Sequence, residues 1–191
     1  MLSHTRGHIA NMDAIFKLCE DSGIVLIEDC AHTMGAEWKG RKSGNFGAVA
    51  CFSTQTYKHM NSGEGGLLTT DEAEIAARAT VLSGSYMLYE RHGATPSPDT
   101  FQALRLETPN CSARLDNLRA GILRAQLSNL DDNIKRWNQR YRIIEHGLRN
   151  TAGIRVIDRH QHEFYVGSSI QFHVDHFGAD RIPAFVEDCL R

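Results

Sequence analysis

Apolar residues along this chain alternate between two kinds of spacing. Between Asn11 and Ser22, the residues Met12, Ile15, Phe16 and Cys19 recur every three or four positions. With Asn11 or Asp13 as a cap and Gly23 just past the end, this spacing predicts an amphipathic helix. Ile24 to Asp29 then reads I-V-L-I-E-D, four apolar residues ending in two carboxylates, the pattern of a buried parallel strand. Ala48 to Phe52 predicts a second apolar strand, and Gly66 to Thr70 a third. Helix and strand alternating in this way build an α/β sheet covered on both faces.

The second half of the chain is more helical. From Asp71 to Leu82 the alanines favour helix, and Asp71 with Glu74 three residues later resembles a capping box. Gly93 to Pro109 is weakly patterned and rich in proline, threonine and serine, which predicts a long surface connection. Beyond it Leu127, Leu130, Ile134, Trp137, Tyr141, Ile144 and Leu148 form one apolar stripe with charges between, a single long helix whose tryptophan and tyrosine read as core. Ile154 to Ile157 and Tyr165 to Val174 predict two more strands, and Ile182 to Leu190 a terminal helix.

Composition narrows the class of protein. The chain has 191 residues, 41% hydrophobic and 23% charged, enough for one full core. A net charge of -2 gives no broad attraction for nucleic acid or anionic membrane. The five cysteines are odd in number and far apart, with no C-x-x-C pair, and read as reduced thiols in a cytoplasm. The first residues lack the apolar core of a signal peptide, and no later window is long and apolar enough for a membrane span, so the sequence predicts a soluble cytoplasmic protein. His160, His162, His173 and His176 lack the spacing and cysteine partners of a structural zinc site and read as solvated surface; no metal ligands are assigned.

The stretch that concentrates chemistry is Ser53 to Gly66, S-T-Q-T-Y-K-H-M-N-S-G-E-G-G, which places Lys58 between hydroxyls and a glycine cluster. Ligands of open α/β sheets bind at the carboxyl ends of the strands. An acid at one strand end, a hydroxyl at the next and a lysine just beyond suit a cofactor with a basic ring nitrogen, a phosphate and an aldehyde. Pyridoxal 5'-phosphate is such a cofactor.

Three spans carry a family resemblance: E-D-C-A-H-T-M-G-A (Glu28 to Ala36), G-N-F-G-A-V-A-C-F-S (Gly44 to Ser53) and K-H-M-N-S-G-E-G-G (Lys58 to Gly66). Together, in this order, they resemble the DegT/DnrJ/EryC1/StrS family of pyridoxal-phosphate sugar aminotransferases. The resemblance implies an aspartate-aminotransferase-like (fold type I) architecture, with residues 1–126 in the large cofactor-binding domain, 127–150 a connecting helix and 151–191 the start of a small domain. It implies that Lys58 bonds the cofactor's aldehyde, that Asp29 faces the pyridine nitrogen, that His32 lies near the ring oxygen and that Ser53 contacts the phosphate. Glu28 reads as structural.

Thr108 to Leu127 resembles the family stretch in which an asparagine reaches the phosphate bound by the other subunit of a homodimer. Asn110 is the candidate, although aligning on Arg114 brings Ser112 to that position; the competing reading is that Asn110 only shapes the turn after Pro109. The reaction implied is transfer of an amino group from glutamate or glutamine to a keto sugar of the nucleotide-linked kind. Family members carry a long stretch before the point matching His4 that supplies part of the phosphate cradle. The alternative is therefore a fragment with no activity of its own, expected to bind cofactor weakly and to self-associate through an uncovered sheet edge.

Overall fold

The computed structural model describes residues 1–85, 93, 95–175 and 178–190. Its first half is organised by a four-stranded sheet of β1 (Leu2–Ser3), β2 (Ile27–Asp29), β5 (Val49–Ser53) and β6 (Gly66–Thr69), in that spatial order. β1, β2 and β5 run parallel and β6 runs antiparallel to β5. The register sets Asp29 opposite both Ser3 and Cys51, so the carboxyl ends of the three parallel strands lie side by side. That end of the sheet is where the candidate chemistry gathers.

Helix α1 (Met12–Asp21) starts as its sequence predicts, with the Asn11 side chain accepting from the Ala14 N–H. It ends at Gly23, which takes a left-handed φ of 62°, while the Ile24 N–H reaches back to the Cys19 carbonyl. Closing the helix in this way consumes the start of the expected strand. Ile24 and Val25 are 59% and 67% exposed, and β2 begins only at Ile27.

Between β2 and β5 the chain forms a small hairpin, β3 (Glu37–Trp38) and β4 (Arg41–Lys42), which apolar patterning had not predicted. Trp38 is buried in the main core with Met12, Leu26, Met34 and Met60. The hairpin is extended by β8 (Glu163–Phe164), so a late segment of the chain packs on an early one.

The helices depart from expectation in three places. In α2 (Ala73–Leu82) the N-cap is Glu72 without a side-chain cap bond; Thr70 Oγ1 accepts from the Glu72 N–H and Glu74 pairs with Arg78, so Asp71 and Glu74 form no capping box. The expected surface connection from Gly93 to Pro109 contains helix α3 (Pro98–Glu107), which starts on a proline at its first turn. Its Phe101 and Leu104 bury against Ala77 and Val81 of α2, too sparse a stripe to stand out from the flanking prolines. The predicted long helix forms as α5 (Leu130–Arg149) but starts three positions later than its stripe, because Leu127 closes a separate helix, α4 (Asn117–Leu127).

Leu123, Leu130 and Ile134 from these helices complete the main core. The last elements are β7 (Ile154–Val156), paired antiparallel with β9 (Phe172–Val174), and α6 (Ile182–Cys189). The predicted strand Tyr165 to Val174 thus forms only at its end, because Gly167 to Ile170 is diverted to line a cavity. No helix among the described residues is long and apolar enough to cross a membrane. His160 and His162 stack near Trp38, with ring centroids 4.6 and 5.8 Å away, His173 is exposed in β9, and His176 lies outside the described residues.

Candidate active site

The two carboxylates that end the I-V-L-I-E-D run have different duties. Glu28 points into the protein and is fully buried, where its oxygens accept from the N–H groups of Gly44, Phe46 and Gly47 and meet His4 Nε2 at 3.2 Å. Burial opposes its ionisation, but these donors together hold its carboxyl below the usual range. Cys30 completes a buried group with them, its thiol pushed up to about 12 by burial. This cluster is a knot that fixes the turn before β5, as the sequence reading of Glu28 as structural anticipated.

Asp29 faces the other way, at the open end of the sheet. Its Oδ2 accepts from the Ser3 hydroxyl and its Oδ1 from the Ala31 N–H, so each oxygen is oriented yet keeps a lone pair for a further donor. Ser53 ends β5 and accepts from the Gln55 N–H, which leaves its own proton to donate. Three residues after Asp29, the ring of His32 stands with Nε2 3.2 Å from Lys58 Nζ. Burial first, then the charges of Lys58 and Arg6, push the His32 pKa down against the pull of Asp29, which favours the neutral ring that can accept from an ammonium.

Lys58 sits on a loop tied at many points. The Thr54 N–H bonds to the Gly65 carbonyl, Thr56 donates through both its N–H and its hydroxyl to the Gly63 carbonyl, and the Ser62 N–H returns to Thr54. Gly65, at φ 133°, is required there, since a Cβ would lie 2.7 Å from Thr54 Oγ1. From α4, Gln126 grips the loop twice, accepting from the Asn61 N–H and donating to the Asn61 carbonyl. Between the lysine and this grip His59 and Met60 are buried, so the lysine is presented from a rigid base.

His59 and Gln126 were not singled out in the sequence. Gln126 belongs to the Q-L pair that closes the Thr108 to Leu127 resemblance, which was the available signal; His59 had none beyond its place next to the lysine. The His59 ring lies 5.5 Å from Trp137, its Nε2 is 2.8 Å from Ser168 Oγ, and its Nδ1 has no partner among the described residues. Burial, then the charges of His32 and Lys58, push its pKa down to about 4.

Beside Lys58 opens a cavity of about 460 Å³, walled by the lysine loop, one face of α5 and the Gly167–Ile170 segment. Trp137 and Tyr141, read as core from the stripe they share, stand on this wall; Tyr141 is buried and Trp137 half-buried. Of the residues predicted from the sequence, Lys58 lines this cavity, whereas Asp29, His32, Ser53 and Asn110 are not among its lining residues. Asn110 is exposed, and its side-chain oxygen accepts from the N–H and hydroxyl of Ser112, an Asx-type turn.

A mostly parallel sheet with an aspartate, a serine and a lysine at its carboxyl end has the architecture of fold type I pyridoxal-phosphate transferases. The chain belongs to the DegT/DnrJ/EryC1/StrS aminotransferase family, whose model matches residues 1–181. It is 34% identical over 155 residues to the L-glutamine:2-deoxy-scyllo-inosose aminotransferase of Streptoalloteichus tenebrarius, covering 78% of this chain and 36% of the relative. With the dTDP-3-amino-3,4,6-trideoxy-alpha-D-glucose transaminase of Streptomyces venezuelae it shares 34% identity over 140 residues, covering 72% of this chain and 32% of the relative. The crystal structure of S. venezuelae DesV in complex with a ketimine intermediate superposes with a TM-score of 0.77 at 26% identity, over 98% of this chain and 47% of DesV. The chain thus spans about a third of the length of these curated relatives and about half of that structure.

Proposed function

We propose that this chain carries the reactive lysine of a pyridoxal-phosphate-dependent aminotransferase that moves an amino group from glutamine or glutamate to the carbonyl of a nucleotide-linked sugar. The observation that carries the reading is the placement of Lys58 Nζ against His32, at the sheet end where Asp29 and Ser53 also present free hydrogen-bonding capacity. The donor set fits the cofactor. Asp29 has a lone pair for a protonated ring nitrogen, the Ser53 hydroxyl can donate to a phosphate oxygen, and an amine stands ready for an aldehyde.

When bound, pyridoxal phosphate supplies an electron sink for the carbanion left after a proton leaves the amino acid's α-carbon. The protein's own contributions follow from its residues. The Lys58 amine would hold the cofactor at its aldehyde, and its Nζ can carry the transferred proton. Neutral His32 accepts from that amine and limits where it points. Asp29, fixed by Ser3 and Ala31, keeps a proton on the ring nitrogen by its opposite charge. Glutamine as donor and a nucleotide-linked acceptor are supported by the names of the two relatives above. We assign residues 1–126 to the cofactor domain, 127–150 to a connecting helical segment and 151–191 to a small domain, and place Asn110 at the phosphate of a second copy in a homodimer.

Titration of the chain with pyridoxal phosphate tests this assignment. The visible absorption band of the bound cofactor should develop with the wild-type chain and weaken in Asp29→Asn, which keeps the shape and removes the charge. An Asp29→Asn chain with the same spectrum and the same half-reaction rate would refute the role given to Asp29.

A further inference from the structure

The long exposed helix α5 carries several cations, and most are already engaged. Lys135 pairs with Asp132, Arg136 donates to Asn133, Arg142 bonds to Tyr165, and Arg149 bridges Glu145 and Asp158. Arg140 is the exception: among the described residues its guanidinium has no ion pair or hydrogen bond. It is also the arginine that lines the cavity beside Lys58. Spacings of three and four residues put Trp137, Arg140 and Ile144 on the same face of α5, turned to that cavity. On the lip opposite, Tyr57 is 89% exposed, a large aromatic surface left uncovered next to the reactive lysine.

A free guanidinium on a cavity wall recognises an anion, and its fork matches phosphate oxygens especially well. We propose that Arg140 binds a phosphate group of the substrate, making it the residue that selects a nucleoside-diphosphate-linked acceptor over a neutral cyclic ketone. The proposal rests on the aminotransferase reading of Lys58 and names the acceptor class for that same cavity. A donor carboxylate is the other anion the site will meet, but it sits one carbon from the amine that reacts at Lys58. Arg140 enters from a different wall, and about 460 Å³ is more room than an amino acid needs.

Calorimetric titration of the 191-residue chain tests this with three probes: thymidine diphosphate, glutamate and uncharged myo-inositol. The wild-type chain should bind thymidine diphosphate in preference to myo-inositol. R140Q should weaken the diphosphate about tenfold to a hundredfold, as expected for one charge-assisted contact, with R140K intermediate. Because Arg140 is exposed and unpaired, thermal melts of R140Q should match the wild type, which separates a lost contact from a lost fold. Unchanged diphosphate affinity in R140Q overturns the proposal. So does a loss confined to glutamate, which would make the donor carboxylate the anion held, or myo-inositol binding as tightly as the diphosphate. Covalent fixation of cofactor on Lys58 reads the underlying aminotransferase assignment separately: fixation with an R140Q-insensitive diphosphate sinks only the Arg140 claim, while its absence sinks the aminotransferase reading itself.

Discussion

The loop that carries Lys58 and the turn that carries Asn110 are built in opposite ways. Residues 54–65 are cross-tied by backbone bonds, gripped by Gln126 from a distant helix and anchored through buried His59 and Met60. Around Asn110, by contrast, the side-chain bonds run to Ser112 two residues away, the backbone tie is from the Cys111 N–H to the Leu82 carbonyl, and residues 109–114 are exposed. A side chain that must meet a cofactor in a fixed geometry needs the first kind of support. The second kind suits a residue whose partner lies outside the chain, which is the place proposed for Asn110 in a dimer.

The comparison can be pressed hardest at the knot behind the lysine loop. Glu28→Ala would leave three backbone N–H groups and His4 without their acceptor in a buried site, and should cost on the order of 4 kcal/mol. Chemical denaturation reads this directly. A loss under about 1 kcal/mol would show that water replaces the carboxylate and that the knot matters little.

The second test is pH. His59 has an ordinary value of 6.5 and a folded value of about 4, so the folded state holds it neutral while the unfolded chain readily takes up a proton. Its contribution is complete above pH 6.5 and drains away as pH falls towards 4, on the order of 3 kcal/mol across that window. Denaturation curves at stepwise pH should show this loss, and His59→Asn should flatten it. Equal pH dependence in both proteins would move the effect to another group.

Smallest in magnitude, but closest to the contrast, is a pair of truncations. Gln126→Ala removes both ties to Asn61 and should destabilise by about 2 kcal/mol, whereas Asn110→Ala in the monomer should cost about 0.5 kcal/mol. Equal losses in the two variants would mean that the loops do not differ in the way described.

The same contrast explains what could be read from the sequence. Strand ends bearing Asp29, Ser53 and the lysine loop were legible because a hydrogen-bonding motif needs particular residues at adjacent positions. The α1 cap at Asn11 was legible for the same reason. Features that depend on long-range packing were not. Helix α3 is held by Phe101 and Leu104 against a partner helix, and its own text is dominated by proline and polar residues. Ile24 and Val25 look like strand and are spent closing α1, because the left-handed turn at Gly23 takes precedence over their propensity. Gln126, His59 and Arg140 gain their meaning only from neighbours across the fold: Asn61 lies 65 positions from Gln126 and Ser168 lies 109 from His59.

In the proposed function Lys58, among the lysines of this chain, is the one poised for an aldehyde. Incubating the protein with pyridoxal phosphate, reducing with borohydride and mapping the tryptic peptides measures it. A single covalent label is expected on Lys58 and should disappear in Lys58→Ala; a label on Lys39, Lys42 or Lys135 instead, or one that survives Lys58→Ala, would contradict that role.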